Sequence, residues 1–182
     1  MNHRIAFCGA SGTGKSTLAT FLAERLGTPM NPVGSRSVAA SMGFASPYDV
    51  DKAGRRAEFQ RRLVTEKMAW EAAHESFVSD RTTMDNIAYT VLHDVGSIDA
   101  SLLATAAEGL GRYTHIIYCP VEAFCNVGDD PARVKDPTYH VLYDLVLKAL
   151  LDRYRRTLPM GTLHIEGLEE RKVWVLKTLR LD

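Results

Sequence analysis

Cysteine, net charge and long apolar runs are all scarce in this sequence, and each scarcity narrows what the chain can be. Its 182 residues hold three cysteines, Cys8, Cys119 and Cys125, and these lack the close spacing of metal ligands. Cys8 and Cys119 lie in apolar runs, where a cysteine packs as a small hydrophobe; Cys125 falls in an expected loop with no base beside it in sequence. His74 and His93 are scattered, with no partner acid at metal-ligand spacing, which argues against zinc. Lys plus Arg and Asp plus Glu number 22 each. No net basic field exists to hold bulk nucleic acid, although a local basic groove stays open. No stretch approaches the ~20 apolar residues of a membrane-spanning helix, and the apolar segment Ile5–Cys8 is too short for a secretory signal. The chain is read as cytoplasmic, with no membrane partner. Internal repeats, low-complexity tracts and composition shifts are missing too, so one domain over residues 1–182 is expected.

What is present is an alternation of short apolar runs with helical patterns. Strands are expected at Arg4–Cys8, Met30–Val33, Ser76–Asp80, His115–Cys119 and Leu163–Ile165. Helices are expected at about 17–26, 35–42, 50–76, 84–93, 98–109, 138–157 and 168–179, several of them closed by glycine or proline. Strands alternating with helices imply an α/β fold of three layers, a central parallel five-stranded sheet covered on both faces. Ligands of such sheets bind outside the carboxyl ends of the strands.

At the first of those ends stands Gly9-Ala10-Ser11-Gly12-Thr13-Gly14-Lys15-Ser16. It matches the phosphate-loop pattern G-x-x-x-x-G-K-[ST] and sits, as that pattern requires, between a strand and a helix. Gly9, Gly12 and Gly14 let the backbone curl so that N–H groups, including those of Ser11 and Thr13, point at phosphate oxygens. The start of the helix adds its positive dipole end to the same anion. Lys15 is placed to reach the β- and γ-phosphates of ATP, and the Ser16 hydroxyl to ligate Mg2+; Thr17 is a further hydroxyl near the α-phosphate. A second strand end carries Ser79-Asp80-Arg81-Thr82. An acid beside the phosphate-loop strand can hold Mg2+ or accept a proton from an attacking hydroxyl, and an adjoining arginine can clamp a phosphate. The plainer alternative is an aspartate that caps a helix, followed by a surface arginine.

Ser79 through Tyr89 resembles the D-R-S-x-x-D-x-x-A-Y stretch of P-loop kinases related to the nicotinamide riboside kinase domain and to phage nucleotide kinases. Its Asp-Arg pair is more distantly similar to that of thymidylate kinases. Ser35-Arg36-Ser37-Val38-Ala39 is similar to the S-R-E-x-A segment of the same group, and Asp130-Pro131-Ala132-Arg133-Val134-Lys135-Asp136-Pro137 looks like its D-G-x-R-x-x-D-P lid. The likeness spans roughly residues 3–155. It implies a nucleotide-kinase-like fold with a helical lid at about 126–140. Asp80 would then be a magnesium-linked acid or base, Arg81 and Arg36 substrate contacts, and Arg133, with Lys135, a lid cation closing over ATP. Lys15, Asp80, Arg81 and Arg133 form the catalytic set on this reading. Two departures stand out: Ser37 replaces the acid of the second motif, and Pro131 the glycine of the third. Asp85 is read as fixing a helix start.

Other residues carry weaker signals. Arg55, Arg56, Arg61 and Arg62 alternate with acids and read as a solvated helix face, with Arg55 or Arg56 in the acceptor site as the alternative. Gln60 can reach a base edge but reads more simply as a surface glutamine. Trp70 reads as core, and Phe44 and Tyr48 as candidates to stack on a planar substrate. Three functions follow: a Mg·ATP-dependent kinase of a nucleoside, nucleotide or nucleoside-like metabolite; a phage-type kinase of a hydroxymethylated DNA base or polynucleotide end; and a nucleotide-dependent switch ATPase. A guanine-reading Asn-Lys-x-Asp motif is absent. The acceptor and the oligomeric state, a homodimer included, stay open.

Overall fold

A computed structural model describes residues 2–126, 128, 134–155 and 158–181. Strand β1 (Arg4–Cys8) enters the phosphate loop, and α1 (Lys15–Leu26) leaves it. Short helices α2 (Ser35–Ser41) and α3 (Pro47–Lys52) precede the long α4 (Arg56–Ala72). Then come β2 (Phe77–Asp80), α5 (Thr83–Asp94), a 3-10 turn at Val95–Ser97 and α6 (Ala100–Leu110). The chain ends with β3 (His115–Tyr118), α7 (Pro137–Tyr154), β4 (Met160–Thr162) and α8 (Leu168–Leu179). All pairings are parallel, in the order β2-β1-β3-β4.

The alternation of side chains along a strand sorts the core into two faces. Ala6 and Cys8 of β1 join Phe77, Ile116 and Tyr118 under α4, α5, α6 and α7. Ile5 and Phe7 join Val78 and Ile117 under α1 and α8, where Leu18, Leu22, Val175 and Leu179 close the layer. A small satellite core of Val38, Ala39, Val50, Phe59 and Leu63 ties α2 and α3 to α4. From β1 the chain pairs outward on one side with β2 and on the other with β3, so a crevice opens at the carboxyl end of β1.

The sheet has four strands where five were expected. The segment at 30–33 makes only a single bridge, Met30 to Val78. Pro29 precedes it and Pro32 lies within it, and a residue without an N–H cannot donate to a ladder. The last strand is Met160–Thr162, three residues before the expected Leu163–Ile165. Gly161 sits there because a Cβ would stand 2.7 Å from the Trp174 ring. The single helix expected over 50–76 is two, parted where Gly54 takes φ 67°. Among the described residues, no helix is long and apolar enough to cross a membrane. Arg133, expected in a lid, lies outside the described residues, as does much of the 126–140 segment.

Candidate active site

The phosphate loop has the backbone its sequence demands. Gly9, Gly12 and Gly14 have φ of 133°, 82° and 75°. A Cβ on Gly9 would lie 2.3 Å from the Cys119 carbonyl oxygen, so only glycine lets β1 turn so close to the end of β3. Lys15 is 4% exposed, and its ammonium donates to the Ala10 carbonyl and, at 3.1 Å, to Thr13 Oγ1. Burial and the nearby Arg81 guanidinium push its pKa down to about 8, with Asp80 acting in the other direction.

Asp80 ends β2 beside that lysine, and its Oδ2 accepts from Ser16 Oγ at 2.5 Å. Its Oδ1 is buried with no partner among the described residues. Burial alone would raise the carboxyl's pKa, but Lys15, Arg81 and the Ser16 hydroxyl together hold it below the ordinary value. A carboxylate and a hydroxyl converging with one oxygen unmet is the hard-oxygen donor set that Mg2+ uses. Such a site usually has one or two carboxylates, with phosphates and waters completing the octahedron. The residues therefore fit the ion. No group of three acidic, histidine or cysteine side chains gathers into a closed metal cage among the described residues.

Arg81 follows with φ 89°, a conformation that costs about 1–3 kcal/mol outside glycine. Its N–H still pairs with the Phe7 carbonyl at 2.7 Å, so the chain leaves the ladder only after that bond is made. The side chain turns back on the phosphate loop. Nη1 donates to Gly9 O at 3.0 Å and Tyr143 Oη at 3.2 Å, and Nη2 to Tyr89 Oη at 3.0 Å and Ser11 Oγ at 3.3 Å. Burial opposes the charge, but Tyr89, Tyr143 and Asp85 more than offset it and keep the guanidinium protonated.

Asp85 does start α5, as its place in the sequence suggests. Its Oδ2 accepts from Thr82 N–H at 2.8 Å, and Thr82 Oγ1 accepts from Asp85 N–H in return. It does more besides: Oδ1 accepts from Gly9 N–H at 3.2 Å and from Tyr143 Oη at 2.7 Å. One fully buried carboxylate thus joins the first glycine of the loop to α5 and α7.

A cavity of about 600 Å3 runs from Ser16, Asp80 and Arg81 to the facing surfaces of α2, α4 and α5. Arg36 lines it, as do Tyr48, Phe59 and Tyr139. Gln60, which reads as a surface glutamine, is 3% exposed and forms part of the wall, with Oε1 buried and without a partner among the described residues. Asn86 on α5 lines the same cavity at 5% exposure, and its Nδ2 is likewise unmet. Lys67 lies about two turns along the same face of α4 from Gln60, 2% exposed, donating to Ser79 Oγ at 2.8 Å. Burial lowers its pKa, against the pull of Glu71 and Asp80. Arg56 also faces the cavity and is paired with Asp51, while Arg55 pairs with Glu58 at 2.7 Å. Trp70 packs against the core as expected, stacked on His74 at 3.8 Å.

Among the residues expected in the site, Ser16, Asp80 and Arg81 come together at one end of the cavity, Lys15 lies buried beside Asp80 within the loop, Arg36 lines the cavity wall, and Thr17 is exposed on α1. No sequence pattern gives Lys67, Asn86, Tyr143 or Arg171 a place in the site, and Tyr89 enters only as the last letter of the D-R-S-x-x-D-x-x-A-Y stretch. For Gln60 and Lys67 the signal was present, since they share the buried stripe of α4 with Leu63, Val64 and Glu71.

A parallel sheet, a phosphate loop after its central strand and an acid at the neighbouring strand end define a P-loop nucleotide-binding fold of the kinase type. The chain belongs to the AAA_28 family of AAA domains, whose sequence model matches residues 4–171. No curated protein matches it. Among solved structures it is similar to deoxyadenosine kinase from M. mycoides with bound dATP, with a TM-score of 0.66 and 16% identity over 98% of this chain and 100% of that one. It is also similar to shikimate kinase from Acinetobacter baumannii in complex with shikimate. There the TM-score is 0.59 and the identity 18%, over 100% of this chain and 93% of that one. At these identities the likeness speaks for the fold.

Proposed function

We propose that this chain is a kinase that transfers a phosphoryl group from Mg·ATP to a hydroxyl of a nucleoside or nucleoside-like small molecule. The observation that carries the reading is the cavity itself. It starts at Ser16 and Asp80 and ends on Gln60 and Asn86, whose amide groups offer one buried acceptor and one buried donor without partners. An unmet buried polar group costs ~1–3 kcal/mol, so such a pair calls for a ligand edge that both donates and accepts. A nucleobase presents such an edge, and Phe59, Tyr48 and Tyr139 line the same cavity with planar rings. A deoxyadenosine kinase among the similar structures is in keeping with this acceptor class.

Catalysis on this reading is positioning plus electrostatics. Lys15, held by Ala10 and Thr13 in the free protein, turns to the transferring phosphates. Ser16 and Asp80 would hold Mg2+, which would supply positive charge against the donor phosphates. Asp80 stays anionic, and a carboxylate with a lowered pKa is a weak base. Its part is therefore to orient the acceptor hydroxyl and take up its proton late, which suits the loose transition state of phosphoryl transfer. Arg81 fixes the loop edge against α5 and α7 while contributing positive charge there. Arg36 is proposed as an acceptor contact, and Arg133 retains its proposed place as a lid cation.

The test is a mass-spectrometric screen of wild type and Lys15→Ala with Mg·ATP against nucleosides, nucleotides, nicotinamide riboside and oligonucleotides with normal or hydroxymethylated bases. One phosphoryl mass gained by a free nucleoside or nucleoside-like compound, and absent with Lys15→Ala, is expected. A gain confined to oligonucleotides, or ATP loss with no acceptor labelled, would overturn the proposal.

A further inference from the structure

Three consecutive carbonyls of the phosphate loop are held by residues more than a hundred positions away. Ser11 O accepts from Cys125 Sγ at 3.5 Å, Gly12 O from Asn126 N–H at 2.9 Å, and Thr13 O from Arg171 Nη2 at 2.7 Å. Arg171 binds this collar together. Its guanidinium carbon lies 5.3 Å from the centroid of the Phe124 ring, at the head of the 124–126 segment. Its Nη1 stands 2.8 Å from where a Cβ of Gly14 would be, so the loop rests directly on the guanidinium.

Arg171 sits on the first turn of α8 and is 3% exposed. A buried guanidinium is costly unless an anion meets it. No carboxylate pairs with Arg171 among the described residues; its partners are a carbonyl, the Cys119 thiol and an aromatic face, and its Nε has none. The charge is fixed against the loop backbone at Thr13 and Gly14. Holding a peptide by its carbonyl also fixes its N–H, because the two point in opposite directions across a planar unit. A captured Thr13 carbonyl therefore sets the Gly14 N–H, one of the donors such a loop aims at phosphate.

We infer that Arg171 is a positioning residue for the donor phosphates, fixing the Thr13–Gly14 peptide and supplying a positive charge that a bound polyphosphate neutralises. This rests on the reading that the loop binds Mg·ATP, and it is independent of the acceptor. It acts through the loop, so its effect falls on anything that carries the phosphate chain, with or without a base.

The test is calorimetric titration of Mg·ATP and of magnesium tripolyphosphate into wild type, Arg171→Met and Arg171→Lys, with the melting temperature of each free protein recorded. Arg171→Met should weaken both probes by about ten- to a hundredfold, as loss of one charge-assisted bond implies. Arg171→Lys, which keeps the charge and one donor, should recover much of that loss. Equal affinities in wild type and Arg171→Met would overturn the inference. So would a loss that Arg171→Lys shares in full and that tracks a lowered melting temperature, since that marks a packing role. Should Arg171→Met not fold, Asn126→Pro removes the N–H that Gly12 accepts from an exposed segment. It should weaken both probes about three- to tenfold, and unchanged binding would count against the collar. Wild type that binds neither probe would sink the donor-site reading as well, which separates the two failures.

Discussion

The two ends of the cavity satisfy their polar groups by opposite means. At the phosphate loop, Gly9 is tied through both its N–H and its carbonyl, three following carbonyls are captured by the 125–126 segment and Arg171, and Lys15 is held inside the loop. At the far wall, Gln60 and Asn86 leave amide atoms buried and unmet. On the proposed reading, the donor end is a finished cradle for a ligand whose phosphates are always the same. The proposed acceptor end is an unfinished hydrogen-bond pattern that a ligand of complementary edge would complete. Such a site rejects analogues lacking the right groups far more sharply than an apolar pocket does.

Substitutions that strike one end and spare the other would sharpen this contrast. Asp80→Asn sits at the junction and should have the largest effect. Transfer should fall about 10²–10⁴-fold with the fold intact, because the amide can neither take up a proton nor serve as an anionic ligand. Full activity in a rate assay would remove Asp80 from the mechanism. A pH series probes the donor end alone. Lys15 titrates near 8 in the free protein, and phosphate contact favours its charged form, so binding takes up a proton. Affinity for Mg·ATP should hold steady below about pH 7 and weaken up to tenfold per pH unit above 8. A flat profile to pH 9.5 would contradict the role given to that ammonium. The same shift has a stability consequence of opposite sign. Between pH 8 and the unfolded lysine value near 10.5 the unfolded chain binds more protons, so this group favours folding increasingly as pH rises. The smallest effect belongs to Gln60→Leu in the free protein. Removing a buried unmet carbonyl should leave stability unchanged or raise it by ~1 kcal/mol in a denaturant melt, whereas a clear loss would mean that Gln60 is a structural residue.

The same contrast explains what could be read from the amino-acid sequence. The donor end is local: eight residues in a row, Gly9–Ser16, state their backbone geometry through glycine and their chemistry through Lys15 and Ser16. Asp80 and Arg81 were legible because they close a strand beside that loop. The acceptor end assembles single residues from α2, α4 and α5, and no short pattern marks them. Gln60 reads as a surface glutamine, and Lys67 draws no notice in the sequence, because their neighbours Arg61, Arg62 and Glu66 do face solvent. The stripe shared with Leu63 and Val64 was the clue. Arg171 was hidden in the same way, within Glu169-Glu170-Arg171-Lys172, although it lies four and eight residues before Val175 and Leu179 on the buried face. The α/β layering followed from alternation of runs. The missing fifth strand did not, because Met30–Val33 has a strand's apolar residues while its prolines forbid the ladder.

Calorimetric titration of free nucleosides into wild type and Gln60→Leu, each also titrated with Mg·ATP, tests the two-ended account most directly. The account predicts that at least one nucleoside binds wild type, that Gln60→Leu weakens it about tenfold or more, and that Mg·ATP binds both proteins alike. Nucleosides that bind both proteins equally, or neither, while Mg·ATP binds both, would contradict it.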